Sequence, residues 1–246
     1  MIQNCYKGIV MPRKSRIVLS GQPVHIIQRG NNRSATFYSG NDHRYYLEFL
    51  AQASEECQCA IHAYVLMTNH VHILATPKNE TGVSRLMQSV GRRYVRHINK
   101  TYQRTGTLWE GRFKHSLIQD EFYYLNCSKY IELNPVRACM VESPESYLWS
   151  SYRHNALGQI NSIIQPHDLY LRLGQTIEER AQHYQALFNN HIEHDTVTAI
   201  RKAINKDQIL GNDKFKEEIE QILKRNINTY EHGEDRKSKT FKHTQR

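Results

Sequence analysis

The stretch Ala63-Tyr64-Val65-Leu66-Met67-Thr68-Asn69-His70-Val71-His72-Ile73-Leu74-Ala75 decides the fold. It is rich in β-branched, aromatic and other apolar residues and lacks glycine and proline, which reads as buried strand. Asn69 marks a tight connection, so Ile61–Met67 and His70–Thr76 are expected to pair as a hairpin that Pro77 ends. Strand side chains alternate, so His70 and His72 point to one face, about 7 Å apart along the chain. On a helix they would diverge. Two imidazoles converging from a rigid strand can hold a divalent metal with open coordination positions.

Working outward, Val24-His25-Ile26-Ile27-Gln28 reads as a first strand that ends at the turn signal Gly30-Asn31-Asn32. Asn41-Asp42 is expected to cap a helix that turns Tyr46, Leu47, Phe49, Leu50 and Ala53 inward. A second helix runs from about Gly82 to Lys100, with Val83, Leu86, Met87, Val90, Tyr94 and Ile98 as its apolar stripe. Gly111 to Ile118 is a fourth strand. Asp120 then caps a third helix, Glu121 to about Leu133, which Pro135 closes. The order strand–helix–strand–strand–helix–strand–helix predicts an α+β fold, a ferredoxin-like antiparallel sheet with helices on one face.

Beyond Ser150 the composition shifts. Glu178–Phe188, Thr196–Ile204 and Asp213–Lys224 read as helices, the last preceded by the turn Gly211-Asn212 and carrying Phe215, Ile219, Ile222 and Leu223 on one side. The expected organisation is an N-terminal extension at 1–10, a main domain at 11–150, a small helical C-terminal region at 151–224 that is a candidate DNA-binding element, and a basic, disordered tail at 225–246.

The chain carries 33 Lys+Arg against 24 Asp+Glu, a formal charge of +9. Such a surplus favours a polyanionic partner, a signal shared by nucleic-acid and membrane-surface proteins. No apolar run is long enough to span a bilayer, and no signal-peptide core is evident, so a cytoplasmic protein is expected. The five cysteines include no CxxC pair, and Cys57-x-Cys59 is too tight for a zinc half-site. They read as reduced structural thiols.

Tyr130 and Asn134 are four apart on the third helix and share a face. If that helix packs across the histidine strand, Asn134 can offer its amide oxygen as a third ligand and Tyr130 can aim its hydroxyl at whatever the metal holds. Two nitrogens and one oxygen, all neutral, suit Mg²⁺ or Mn²⁺ taken up with a phosphate, rather than zinc. A phenolate at Tyr130 could attack a phosphodiester, expel a 3′-hydroxyl and keep the bond energy as a 5′-phosphotyrosine. Tyr123 is the runner-up nucleophile but lacks a partner four residues on; Tyr124 reads as core. Candidate DNA contacts are Arg85, Arg92, Arg93 and Arg96 with Lys100 on the second helix, Arg112 and Lys114 on the fourth strand, and Arg29, Asn31, Asn32 and Arg33 around the first turn. An arginine face is equally compatible with ordinary solvated surface, and Trp109 with core or with base stacking. His25, His62 and His115 read as structural or solvent-facing.

His70-Val71-His72 taken with Tyr130-Ile131-Glu132-Leu133-Asn134-Pro135-Val136-Arg137-Ala138 resembles the HUH single-tyrosine transposases, and more closely the REP-associated tyrosine transposases. Val24-His25 through Arg29-Gly30-Asn31, Gly106 through Lys114, Trp149-Ser150-Ser151-Tyr152 and Leu210 through Phe215 add to the likeness, which spans roughly Met11 to Ile222. It implies the ferredoxin-like fold, a metal-dependent single-stranded DNA endonuclease and strand transferase, and recognition of short palindromic hairpins. It also implies metal ligation by His70, His72 and Asn134 and nucleophilic attack by Tyr130. Insertion-sequence relatives usually carry glutamine at the Asn134 position, which moves this chain toward the REP-associated branch, often domesticated. The expected partner is single-stranded or hairpin DNA in the nucleoid, met by a monomer or a homodimer. Two other functions fit the residues: a non-catalytic DNA- or RNA-binding protein on this fold, and a metal nuclease that activates water, with Asn69-His70 read as part of an HNH-like site.

Overall fold

Four antiparallel strands, β1 (Val24–Arg29), β2 (Cys59–Met67), β3 (His70–Pro77) and β4 (Lys114–Leu117), form one sheet in the order β2-β3-β1-β4. The structure, a computed structural model, describes residues 16–119 and 121–224. The expected N-terminal extension, the Asp120 cap and the basic tail lie outside the described residues. With α1 (Gly40–Cys57), α2 (Gly82–Thr101) and α3 (Glu121–Glu132) between or after the strands, the order is the expected ferredoxin-like one.

Local signals explain the helix ends. α1 begins after Ser39, whose hydroxyl accepts the Asp42 N–H while the Asp42 carboxylate accepts the Ser39 N–H at 2.8 Å. The cap is therefore Ser39 rather than Asn41-Asp42, because Asp42 serves as the reciprocal member of a capping box. The six residues of the α2 stripe are all buried. β4 is shorter than predicted, because Gly111 takes φ +67° in the preceding turn. Trp109 lies in the core beside Tyr46 and Tyr94.

The expectation of helices on one face holds only for α1 and α2. They cover the face carrying Val24, Ile26, Tyr64, Leu66, Val71 and Ile73. α3 and α8 (His194–Asn205) cover the opposite face, with Ala63, Val65, Met67 and Leu74. The cause is visible in β2 and β3, which are apolar on both sides and therefore need cover on both.

The C-terminal region is helical, as predicted, and also seals the sheet edges. Leu66 donates its N–H to Trp149, Ser151 donates to Tyr64, and Gln165 donates to Ile61, so β2 has no bare edge. On the far side Leu210 donates to Leu117 and accepts from Gln119. Short helices that the sequence reading missed, α5 (Tyr152–Leu157) and α6 (Asp168–Leu171), precede α7 (Ile177–Ala186). In α9 (Asp213–Leu223), capped by Asn212, Ile219 is buried but Ile222 is exposed. Among the described residues no helix is long and apolar enough to cross a membrane. Cys57, Cys59 and Cys127 are buried free thiols and Cys139 is an exposed one.

Glu132 ties α3 to this C-terminal region. Its fully buried carboxyl receives hydrogen bonds from Ser151 Oγ, from Asn155 Nδ2 at 2.8 Å and from the Tyr184 hydroxyl at 2.9 Å. The donors favour the carboxylate, but burial dominates and pushes the group up to about 7. A raised value means the folded state holds the proton more tightly than the unfolded chain. The linked stability is present below the unfolded value of 4.5 and is lost as pH rises through about 7. Denaturant unfolding of the wild type and Glu132→Gln should show a stability difference that moves by about 2 kcal/mol between about pH 5.5 and pH 8, against the wild type at the higher pH. A difference that stays constant over that range contradicts the assignment.

Candidate active site

Strand alternation and register build the site. On β3, His70 and His72 face α3, and across the β1 pairing Arg29 lies opposite His70 and Ile27 opposite His72. α3 crosses β2 and β3 on this side. It brings the Tyr130 ring edge-on to His72 at 5.9 Å and to His25 at 6.0 Å between centroids. Tyr123 packs edge-on to Phe122, and Tyr124 stacks on His167 as part of the core. Tyr130 is only 5% exposed, and the exposed Arg137 lays its guanidinium over the ring at 4.6 Å.

Hydrogen bonding fixes which atoms this site presents. Asn69 donates its side-chain N–H to the Arg33 carbonyl at 2.9 Å. A carbonyl only accepts, so the Asn69 amide oxygen must be the atom that faces His70 Nδ1 at 2.7 Å. His70 Nδ1 therefore carries the proton, and its Nε2 carries a lone pair. Burial, with Arg29 adding to it, pushes His70 down to about 4, so the ring is neutral near pH 7. His72 contacts His25 through Nδ1 and Nε2 at 2.8 Å. Burial, then the charges around it, holds His72 well below the usual histidine range, and burial pushes His25 down to about 3.

Asn134 follows α3, one residue before Pro135, and opens the short α4 (Asn134–Arg137). Pro135 therefore starts a helical turn rather than closing one, as a first-turn proline can. It lacks an N–H for the Ile131 carbonyl. The Asn134 side chain supplies one, donating to Ile131 O at 3.2 Å and to Tyr130 O at 2.9 Å. Both partners are acceptors, so the amide oxygen faces away from the helix backbone. This local role alone would explain an asparagine here; among the described residues Oδ1 accepts no hydrogen bond.

The structure brings His70 and His72 together, with ring centroids 5.2 Å apart, while the Asn134 side chain bonds to the carbonyls of Tyr130 and Ile131 and makes no hydrogen bond to either histidine; as chemical types the three donors suit a hard divalent cation. Two imidazole nitrogens and a carboxamide oxygen, all neutral, leave room for a phosphate ligand. Among the described residues no group of three or more His, Cys, Asp or Glu has a metal-holding arrangement.

The predicted DNA contacts separate into groups. Arg29 lies beside His70, and the turn with Asn31 and Arg33 adjoins it through the Gly30 N–H to Asn69 carbonyl bond of 2.7 Å. Gly30 is required there, since a Cβ would lie 2.3 Å from Ser34 O. Asn32 and Arg33 take left-handed backbone at φ 51° and 57°, strain of the kind found at binding sites. Arg85, Arg92 and Arg96 are exposed on α2, across the sheet from Tyr130, while Arg93 is held by Glu56 and Gln52. Arg112 is exposed before β4, and Lys114 donates to the Asn205 carbonyl at the end of α8. The sequence reading missed Arg137, Asn69 and His25 as members of the site. Arg137 follows Tyr130 by seven residues, two helical turns, and could have been found from that spacing. His25 gave no such signal.

Residues 19–134 match the family model described as IS200-like transposase. A structure of a REP-associated tyrosine transposase bound to a REP hairpin superposes with a TM-score of 0.52 and 17% identity, over 64% of this chain and 93% of that one. At that identity the likeness establishes a shared fold. A candidate transposase from Deinococcus radiodurans R1 aligns at 19% identity over 49% of this chain and 95% of its own, with a TM-score of 0.35, too loose a superposition to support more. No curated protein matches. Sheet, histidine pair and tyrosine fall together in the matched segment, and the chain carries an IS200-like transposase domain in the fold of the REP-associated tyrosine transposases.

Proposed function

We propose that this protein is a divalent-metal-dependent single-stranded DNA endonuclease and strand transferase that acts on REP-like palindromic hairpins through a 5′-phosphotyrosine. The observation that carries the reading is the Tyr130 ring edge-on to His72 across β3, in a segment that matches IS200-like transposases. The REP hairpin bound by the structural relative supports the choice of substrate. Tyrosine and histidines meet within one chain, so the reading needs no second subunit. A protein of this kind works on chromosomal DNA, so nucleoid association is expected of it.

His70 Nε2, His72 Nε2 and Asn134 Oδ1 would hold Mg²⁺ or Mn²⁺, which when bound would polarise the scissile phosphodiester and offset charge on its non-bridging oxygen. Arg29 and Arg137 flank the same point and can grip phosphate oxygens. Arg137 covers the phenol in the free protein. Turning the guanidinium from ring to phosphate uncovers Tyr130 as the substrate arrives. The Tyr130 oxygen loses its proton and bonds to phosphorus, and the 3′-oxygen departs and takes up a proton. The phosphotyrosine keeps the energy of the broken bond, so an incoming 3′-hydroxyl can reverse the step and join strands. The turn at Asn31–Arg33 lies where a hairpin base or backbone would approach.

Tyr130→Phe should abolish the covalent protein–DNA adduct on a single-stranded hairpin with Mn²⁺ while hairpin binding persists. Full-yield cleavage by the variant would point instead to activated water. Arg29→Ala should weaken hairpin binding and lower the salt slope by about one. Arg93→Ala should leave both unchanged, because Glu56 already occupies its guanidinium. Equal losses in the two variants, read by fluorescence anisotropy across a salt series, would contradict the placement of DNA on the Tyr130 side.

A further inference from the structure

His25 is fully buried in β1, and its ring stacks on His72 with centroids 5.0 Å apart. The 2.8 Å contact between His25 Nε2 and His72 Nδ1 joins two neutral rings, so it contains one proton and has two possible arrangements. If His25 donates, the only proton of His72 sits on Nε2, and that nitrogen has no lone pair for a cation. If His72 donates from Nδ1, its Nε2 is a free lone pair.

We propose that His25 is a positioning residue that holds His72 in the cation-binding tautomer by accepting the His72 Nδ1–H in a hydrogen bond buried between β1 and β3. This rests on the metal reading above. Three observations support it. Among the described residues His72 Nε2 has no hydrogen-bond partner and is not closed off from solvent, so that nitrogen is open to a ligand rather than committed to the protein. His70, fixed independently through Asn69 and Arg33, has the same arrangement, Nδ1–H outward to a second residue and Nε2 free. The two rings sit 5.2 Å apart on the same face of β3. In this arrangement the one proton of His25 sits on Nδ1, which is buried and unpartnered, as is Ser116 Oγ, and these two residues are directly opposed in the β1–β4 register. Opposed Cβ atoms lie about 5 Å apart, so a serine rotamer change can close a chain Ser116–His25–His72.

The test is Mn²⁺ titration by calorimetry of wild type, His25→Phe and His25→Gln, together with ¹⁵N NMR of the histidine rings in the metal-free wild type. Phenylalanine fills the ring's space without an acceptor, and glutamine offers an acceptor oxygen. His25→Phe should weaken Mn²⁺ binding by about 10- to 100-fold, as loss of a residue that orients a ligand does. His25→Gln should recover most of that loss. Hairpin binding in EDTA should be the same for all three. The NMR spectrum should show His72 protonated on Nδ1 and not on Nε2. Equal Mn²⁺ affinity for wild type and His25→Phe, no recovery with His25→Gln, or a His72 Nε2–H each overturns the role of His25 and leaves the metal reading standing. A wild type that binds no Mn²⁺ at all overturns the metal reading and this role with it. If His25→Phe does not fold, the NMR result on the wild type decides alone.

Discussion

A buried imidazole must find hydrogen-bond partners, and in β3 that requirement sets the chemistry of the whole site. An unpartnered buried polar group costs roughly 1–3 kcal/mol, so a strand covered on both faces would ordinarily carry only apolar residues. β3 instead turns His70 and His72 toward α3. The fold supplies a partner for each from a neighbouring piece of the sheet: Asn69 from the hairpin connection and His25 from β1. Each partner engages Nδ1, so each ring can offer Nε2. Structural necessity and the capacity to hold a cation are met by the same two hydrogen bonds.

The other half of the site depends on how α3 is held. Glu132 anchors its last turn to Ser151, Asn155 and Tyr184, which come from the region after the matched domain. Lys129, one turn back, donates to the carbonyls of Leu187 and Asn190. These contacts leave the Tyr130 ring free to pack against His25 and His72. The C-terminal helices thus help set the position of the phenol without touching it. The segments between the helices, at Trp149, Ser151, Gln165 and Leu210, close both sheet edges, which would otherwise present unpaired backbone groups.

Much of the fold was legible because its signals are local. The α2 stripe and the apolar, β-branched run around His70-Val71-His72 each specify an element within a few residues, whereas the α1 cap at Ser39 lies two residues before the expected Asn41-Asp42. The double cover of the sheet was also written in β2 and β3, as runs without polar alternation, but a ferredoxin-like reading assigned the helices to one side. Within the site, the approach of Tyr130 to the histidines was readable from a helix expected to pack across the histidine strand. Asn69 and His25 were not, because their role depends on a carbonyl thirty-six residues away in Arg33 and on a strand pairing forty-seven residues apart. The basic residues were the least legible. Charge alone does not distinguish Arg93, paired with Glu56, from Arg29, beside His70.

The most direct measurement is anomalous diffraction from crystals of the full chain soaked in Mn²⁺. One manganese peak within bonding distance of His70 Nε2, His72 Nε2 and Asn134 Oδ1, facing the Tyr130 hydroxyl, is the predicted result. A protein that takes up manganese elsewhere, with these three atoms unliganded, would contradict the account.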